Sequence, residues 1–376
     1  MHNRRRSPVP FRLLRLRPFG ATVALVITVA LAGCTSQPLR PPGNRSAHNT
    51  AHVSASSAAR MTAAAAGPAN EGTLRSARDT SAFAYVPVEK TNRILEVDRS
   101  GLVLWQASVR DPDDVSVTPG GNLLVNEPDR ATVVEISRRT GKIIWRYGRA
   151  GAPGDGPGQL RLPDDAFRLA NGDTLICDSG NARIIEVDHE GKIVWQYGHT
   201  RVWGTAPGYL AAPNDAVPLS AGRVLITTEF PPRILEVSHA GQVLWSLAAD
   251  RQVAVRPPIR KLSDAVPDGT GRYLVAVYGK PGRILELDRY GHVFWSYGPS
   301  SGTRMLDHPS AVFPLTNGQV LISDDGHQRV LEVDRSGKLV WVFGGPGRTA
   351  GVSDVKPPWP WPVAARVHPG LTSSPR

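Results

Sequence analysis

The sequence predicts an all-β protein, a six-bladed β-propeller of four-stranded antiparallel blades. The first observation behind this prediction is a segment that recurs six times and always closes with a tryptophan. The closing residues are Trp105, Trp145, Trp195, Trp245, Trp295 and Trp341. Their spacing of 40 to 50 residues is typical of propeller and solenoid repeats. The second observation is that each copy splits into short apolar runs around a polar turn, which favours strands over helices.

Each blade is predicted to consist of two hairpins. In the outer hairpin of the first copy, residues 93–105, Gly101 supplies the positive φ that a tight turn often needs. The inner hairpin is clearest at residues 165–176, where Asn171-Gly172 is a strong turn signal between two apolar runs. Equivalent inner hairpins are expected at residues 114–125, 215–226, 264–277 and 311–322.

The first copy lacks an innermost strand of its own. Only the apolar residues 83–86 precede its outer hairpin. Near the C-terminus, residues 361–370 align with residues 308–314, which open the last inner hairpin. We therefore expect strands from both chain ends to close the first blade, because closure pairs edges that would otherwise be open. The propeller is then expected to span residues 82–370, followed by a disordered tail at 371–376.

The N-terminus has the pattern of an export signal. Residues 1–33 combine six arginines with an apolar run of the length found in secretory signals. The residues Leu31-Ala32-Gly33-Cys34 resemble the lipobox of bacterial lipoproteins, which implies cleavage before Cys34 and attachment of a diacylglycerol to its sulfur. Thr35 then implies sorting to the outer membrane, facing the periplasm, in a Gram-negative host. An uncleaved anchor with a chance cysteine is the alternative.

Composition excludes several classes of protein. Residues 34–81 are rich in Ala, Ser, Thr and Pro and are expected to form a disordered tether. The formal charge of +11 owes much to the six N-terminal arginines, since 38 basic and 33 acidic residues follow them, so a nucleic-acid partner is not indicated. After Cys34 the chain has one cysteine, Cys177, which excludes an intramolecular disulfide and a cysteine-based zinc site. We expect a monomeric domain.

Long segments between blades predict where a site would lie. Residues 148–162, 198–212 and 344–360 join the last strand of one blade to the first strand of the next. In a four-stranded blade they lie on the same face as the loops between the second and third strands and the starts of the innermost strands. We call this face the connector face and the opposite one the turn face. Long loops in a tight repeat are candidates for a binding surface.

Two groups of polar residues are predicted to converge on the connector face. The innermost strand opens with an aspartate in four blades and with Ser310 or Pro362 in the other two. The four are Asp114, Asp165, Asp215 and Asp264. They either cap backbone N–H groups or form a ring that holds a cation. The second group, on loops between second and third strands, either adds ligands or an acid–base pair or simply forms turns. Its members are Asp178, Asp324, Asp325 and His327.

Two further residue types recur inside the apolar strands. One is a glutamate in the third strand of each blade, at Glu96, Glu135, Glu186, Glu236, Glu286 and Glu332. A buried carboxylate needs a partner, and the arginines that open the same strands are natural candidates. These are Arg93, Arg183, Arg233, Arg283 and Arg329. The other is the closing tryptophan, which is expected to wedge between blades rather than to stack on a cofactor.

The repeat resembles known propeller families. Residues 171–188 and the Trp-Gln-Tyr-Gly ending at 195–198 resemble the repeat of NHL and arylsulfotransferase-like propellers. Residues 334–341 resemble the tryptophan-docking repeat of quinoprotein propellers. The resemblance covers nearly all of residues 82–344 and implies the fold, whereas the activity stays open because these families share a scaffold and differ in chemistry.

The sequence therefore supports three hypotheses. The first is an exported, lipid-anchored propeller of the cell envelope that binds a small ligand or an envelope protein on its connector face. The second is an arylsulfotransferase-like enzyme, because the resemblance implies a channel histidine as sulfate acceptor, which His308 matches, with Arg168 or Arg161 nearby. The third is a structural assembly factor for envelope proteins. No sequence motif identifies a cofactor or a metal site.

Overall fold

The computed structural model describes residues 83–299 and 301–345 together with Asp354 and Pro357. Over this part of the chain the strands form six antiparallel sheets, and the predicted six-bladed β-propeller is confirmed. The signal peptide, the tether, the closing strand expected at 361–370 and the tail lie outside the described residues. No helix among the described residues is long and apolar enough to span a membrane.

The strands of each blade follow one another from the central channel to the outer edge of the ring. Blade one has the described strands β1 (Ala84–Val88), β2 (Arg93–Val97) and β3 (Val103–Ser108). Blade two has β4 (Val115–Val117), β5 (Leu123–Glu127), β6 (Thr132–Ile136) and β7 (Ile143–Gly148). Blade three has β8 (Pro163–Arg168), β9 (Thr174–Asp178), β10 (Arg183–Val187) and β11 (Ile193–Gly198).

The second half of the ring repeats this order. Blade four has β12 (Pro213–Leu219), β13 (Arg223–Thr228), β14 (Arg233–Ser238) and β15 (Val243–Ala248), followed by the short helix α1 (Ala249–Gln252). Blade five has β16 (Leu262–Pro267), β17 (Tyr273–Val277), β18 (Arg283–Leu287) and β19 (Val293–Tyr297). Blade six has β20 (Pro309–Pro314), β21 (Val320–Asp324), β22 (Arg329–Val333) and β23 (Leu339–Gly344). Four 3-10 turns join second and third strands, at Glu89–Thr91, Pro128–Arg130, Ser179–Asn181 and Asp325–His327.

The outer hairpin has the same irregularity in every blade. Glu96 of β2 faces Trp105 of β3, whereas the next residue, Val97, faces Val103. The outer strand therefore carries one extra residue, Leu104, in a β-bulge. The bulge leaves Leu104 exposed while Trp105 packs against an apolar cluster that includes residues of blade two. The same shift occurs in the other five blades.

The closing tryptophans join neighbouring blades, as predicted. Trp195 Nε1 donates a hydrogen bond to the carbonyl of His239 in the next blade at 2.8 Å. Trp341 Nε1 donates in the same way to the carbonyl of Arg99 at 2.8 Å. This second bond joins the last blade to the first, and Phe83 packs edge-on against the same indole with 4.7 Å between ring centroids. The contact between blades six and one therefore closes the ring.

The recurrent glutamates are paired, but the partners suggested by the sequence are wrong. Glu96 accepts hydrogen bonds from Arg138, and Glu332 accepts them from Arg99. Both arginines lie in the turn between the third and fourth strands of the next blade. The expected partner Arg93 is three residues from Glu96, and side chains alternate along a strand, so the two point to opposite sides of the sheet. These two ion pairs tie blade to blade, whereas Glu236 pairs with Arg223 of its own blade.

Asp354 lies at the place of the missing innermost strand, between blades two and six. It forms a parallel bridge with Asp114, and its N–H donates to the carbonyl of Asp113 at 3.1 Å. In sequence, residues 352–355 (Val-Ser-Asp-Val) are similar to residues 262–265 (Leu-Ser-Asp-Ala), which open β16. The residue beside Asp114 is thus Asp354, whereas the sequence alignment had placed Pro362, which lies outside the described residues, in this slot.

Candidate functional site

Aspartates from five blades converge where the innermost strands begin. They are Asp114, Asp165, Asp215, Asp264 and Asp354. We call these residues the carboxylate ring. They line a recess at the mouth of the central channel. The structure thus brings together the four aspartates that the sequence singled out and adds a fifth that it missed. The repeated Ser-Asp pair at 353–354 was the signal that could have found it.

In blade six the slot predicted for Ser310 belongs to Ala311. Val312 pairs with β21 as Ala166 pairs with β9, which puts Ala311 level with Asp165. Ser310 follows Pro309 as Asp164 follows Pro163, so it lies one position closer to the connectors, level with Asp164. The carboxylate ring is therefore interrupted at blade six.

A second tier of polar residues lies one position closer to the connectors. Its members at the strand starts are Asp113, Asp164, Asn214, Ser263 and Ser310. Asp325, from the turn after β21, joins this tier because its Oδ1 accepts a hydrogen bond from Ser310 at 2.7 Å. Asp164 accepts a hydrogen bond from the side-chain amide of Asn214. We call Asp113, Asp164 and Asp325 the rim carboxylates, and all three are half-exposed.

The electrostatics of the recess favour protonation or a bound cation. Burial raises the pKa of Asp215 well above its ordinary value, and the carboxylates of Asp165 and Asp264 raise it further. Burial also raises the pKa values of the rim carboxylates, and in each case another carboxylate adds to the effect. Like charges in a partly desolvated recess disfavour the ionised form. A positively charged group that entered the recess would relieve this repulsion.

Part of the carboxylate ring also caps backbone N–H groups, the structural role that the sequence left open. The N–H of Val312 donates to Asp264 Oδ2 at 2.8 Å, which ties blade five to blade six. The N–H of Ala166 donates to Asp165 Oδ1 at 2.9 Å. Among the described residues no group of three or more His, Cys, Asp or Glu side chains is arranged to hold a metal ion.

Replacing Asp215 by asparagine is expected to stabilise the protein at alkaline pH. Because the folded-state pKa of Asp215 is raised, the folded protein binds this proton more tightly than the unfolded chain does. Its contribution to stability is therefore lost as the pH rises from about 4, the unfolded pKa, through the raised value. Asparagine removes the buried charge and can donate to Asp165 and Asp264. We expect a gain of roughly 1–3 kcal/mol at about pH 8 and little change at about pH 4.

Thermal unfolding at a series of pH values measures this effect. Glu190→Gln is the matched control, because it removes one negative charge from a side chain that is 76% exposed. It should follow the wild-type pH profile. An Asp215→Asn profile parallel to that of the wild type would show that Asp215 does not keep its proton in the folded state.

His308 lies on the connector face beside the recess. Its Nδ1 is 2.6 Å from Asp307 Oδ1, and Lys280 Nζ donates to Asp307 Oδ2 at 2.6 Å. Burial opposes the change, but these two bonds lower the pKa of Asp307. The ring of Tyr278 packs against the imidazole with 4.7 Å between centroids, and burial raises the pKa of this phenol to about 12. The four residues form a compact polar cluster next to Asp325.

The backbone of His308 is not specific to a catalytic role. His308 has a φ of 56°, but Asp111, Leu162 and Ala212 have φ values between 47° and 51° at the same position of other blades. Each of these residues immediately precedes a proline that lies at the start of an innermost strand or just before it. The positive φ is thus a feature of the repeat. What distinguishes blade six is the imidazole alone.

Asp178 and Asp324 hold the connectors in place. Both are fully buried. Asp178 Oδ2 accepts a hydrogen bond from Arg183 Nε at 2.7 Å, and Asp324 Oδ2 accepts one from Arg329 Nε at 2.7 Å. Asp324 Oδ2 is also 2.9 Å from Nδ1 of His327. This arrangement favours the turn-forming role, one of the alternatives that the sequence left open. It also shows that Arg183 and Arg329, which open third strands, bind these aspartates rather than the recurrent glutamates.

Arg168 lies on the turn face, away from the other candidates. It is the last residue of β8, its side chain pairs with Glu135 at 2.8 Å, and its guanidinium lies 4.3 Å from the centre of the Trp145 ring. His308 stands at the other end of the innermost strands, so the two residues do not meet. Arg161 is on the connector face, but the structure does not favour the arylsulfotransferase-like arrangement.

Comparison with known proteins agrees with this fold. Residues 90–252 match the model of the PQQ_2 family, described as outer membrane protein assembly factor BamB. No curated protein sequence matches the chain. A solved protein of unknown function from Bacteroides caccae is 19% identical, with a TM-score of 0.55 over 74% of this chain and 99% of that one. The nidogen/laminin complex contains a chain that is 12% identical, with a TM-score of 0.52 over 73% of this chain and 97% of that one.

These identities show the fold alone. The chain is a β-propeller, and residues 90–252 of it are similar to the PQQ_2 repeat family. The family match supports the quinoprotein part of the resemblance seen at residues 334–341, although the matched residues themselves lie in the first four blades.

Proposed function

We propose that this protein is an exported, lipid-anchored β-propeller that binds an envelope protein on its connector face. The match of residues 90–252 to a family described as an outer membrane protein assembly factor supports a partner in the cell envelope. The lipobox at Cys34 supports a lipid anchor. Binding is favoured over catalysis because Arg168, one of the two arginines named in the enzyme hypothesis, lies on the face opposite His308.

The observation that carries the proposal is a group of exposed apolar side chains on the connector face of blades three and four. These side chains are Leu162, Val202, Trp203 and Phe230, and at least half of each is exposed. Three come from the connectors that precede β8 and β12, and the fourth comes from the loop between β13 and β14. Exposed apolar side chains grouped on one face of a protein mark an interaction surface.

The described chain enters the propeller on the face opposite these side chains. β1 runs from the turn face to the connector face, so Phe83, which precedes it, lies at the turn face. The N–H of Phe83 donates to the carbonyl of Val97, next to the turn between β2 and β3. The first described residue thus lies on the turn face, whereas the exposed apolar side chains lie on the connector face.

Photo-crosslinking in intact cells tests this proposal. A photoreactive amino acid in place of Trp203 or Phe230 is expected to give one discrete adduct with an envelope protein, identified by mass spectrometry. The matched control is Tyr290, an aromatic residue that is 68% exposed on the turn face. It should give no such adduct. Equal adducts from all three positions, or none from Trp203 and Phe230, would contradict a binding site on the connector face.

The same experiment in a Cys34→Ala background tests the anchor. Without the lipid the protein is expected to leave the membrane fraction and the adduct to be lost, because stable membrane attachment depends on the buried acyl chains. A Cys34→Ala protein that keeps both its membrane association and its adduct would show that Cys34 is not lipidated.

A further inference from the structure

We propose that the recess formed by the carboxylate ring and the rim carboxylates accepts one basic side chain of the partner, a lysine ammonium or an arginine guanidinium. This inference rests on the proposed partner-binding role of the connector face and adds the chemistry of its central contact. The recess opens on the same face as the exposed apolar loops of blades three and four. A partner that covers those loops can therefore place a side chain in the channel mouth.

The charges around the recess have one sign. Each rim carboxylate is half-exposed, and for each of them the neighbouring charges with the strongest effect belong to other carboxylates. Two lysines on this face are already paired outside the recess. Lys261 lies 2.9 Å from Glu229, and Lys280 lies 2.6 Å from Asp307. The recess thus has negative charge for which an external cation is the complement.

The inner end of the recess has a buried acceptor that lacks a donor. Asp215 is 7% exposed and lines the recess, and no N–H group and no Ser, Thr or Tyr hydroxyl donates to its Oδ2. Its polar neighbours are the carboxylates of Asp165 and Asp264. A buried acceptor in this state costs free energy, which an entering N–H group recovers. This observation is independent of the rim charges and indicates a ligand with several N–H donors.

The carboxylates of the recess suit a cation with several N–H donors. No three acidic, histidine or cysteine side chains in the described part of the chain are close enough together to coordinate a metal. The carboxylates come from several blades and line the recess on different sides. An ammonium offers three N–H donors and a guanidinium five, so either can bond to carboxylates on several sides at once.

Peptide binding to the purified full-length protein in detergent tests this inference. The probes are three glycine–serine peptides with one central lysine, arginine or acetyl-lysine, titrated by calorimetry. The lysine and arginine peptides are expected to bind about tenfold or more tightly than the acetyl-lysine peptide, since only they offer charge-assisted hydrogen bonds. Their affinity should also fall as salt is added. Equal binding of the lysine and acetyl-lysine peptides would overturn the inference.

Asp164→Asn combined with Asp325→Asn locates the site. Asparagine keeps an oxygen for the bonds from Asn214 and Ser310, and a thermal melt confirms that the variant is folded. We expect its affinity for the lysine peptide to fall about tenfold or more, whereas Glu190→Gln on the turn face should bind like the wild type. Wild-type affinity in the double variant overturns the inference. If Trp203 still crosslinks in that case, the binding role of the connector face stands without it.

Discussion

Replacing Gly198 by alanine is expected to lower the free energy of unfolding by about 3 kcal/mol. Gly198 ends β11 with a φ of +93°, and an added Cβ would lie 2.4 Å from the carbonyl oxygen of Ala182 and 3.0 Å from the Cα of Arg183. Both are backbone atoms, and Arg183 is the residue with which Gly198 pairs. The clash can be relieved only by opening the outer hairpin, so we expect a loss of stability that chemical denaturation can measure.

Gly172→Ala is the matched control for this prediction. Gly172 has a φ of +94°, almost that of Gly198, but no atom lies within 4 Å of an added Cβ. It should lose only about 1 kcal/mol, from conformational strain. The difference between the two variants isolates the close backbone contact. If both variants lost the same free energy of unfolding, that contact would have no energetic weight.

The contact at Gly198 explains why the fold could be predicted from the sequence. Gly148 and Gly298 occupy the same position in other blades, and an added Cβ would meet a backbone carbonyl at 2.2 Å and 2.5 Å there. A residue that makes the same contact in several blades is repeated in the sequence, and the repeat reveals the architecture. The closing tryptophans and four of the ring aspartates were predictable for the same reason.

Features that depend on contacts between blades could not be predicted in the same way. The partner of Glu96 is Arg138, which lies in the next blade, and a local pattern does not show which turn will face which strand. The position of Ser310, by contrast, was open to prediction, because Ser310 follows Pro309 as Asp164 follows Pro163. The exposed side chains of Trp203 and Phe230 lie on loops, where no period distinguishes an exposed apolar residue from a buried one.

Replacing Arg99 by alanine is expected to destabilise the propeller by about 3 kcal/mol, because it opens the junction between blades six and one. Arg99 donates two hydrogen bonds to Glu332, at 2.6 Å and 3.0 Å, and its guanidinium lies 4.1 Å from the centre of the Phe83 ring. The side chain of Glu332 is 0% exposed. Removal of the arginine leaves that carboxylate buried without its main partner, which costs more than the ion pair itself contributes.

Arg93→Ala provides the control, because Arg93 is exposed and its only described side-chain bond is to Gln106. It should change the unfolding free energy by less than about 0.5 kcal/mol. Equal losses from Arg93→Ala and Arg99→Ala would show that the blade junction is not held by this pair.

The junction also matters for the recess, since Asp354 lies there between Asp113 and Asp325. A variant that loosens the junction should therefore weaken peptide binding as well as stability, whereas Gly198→Ala, in blade three, should affect stability alone.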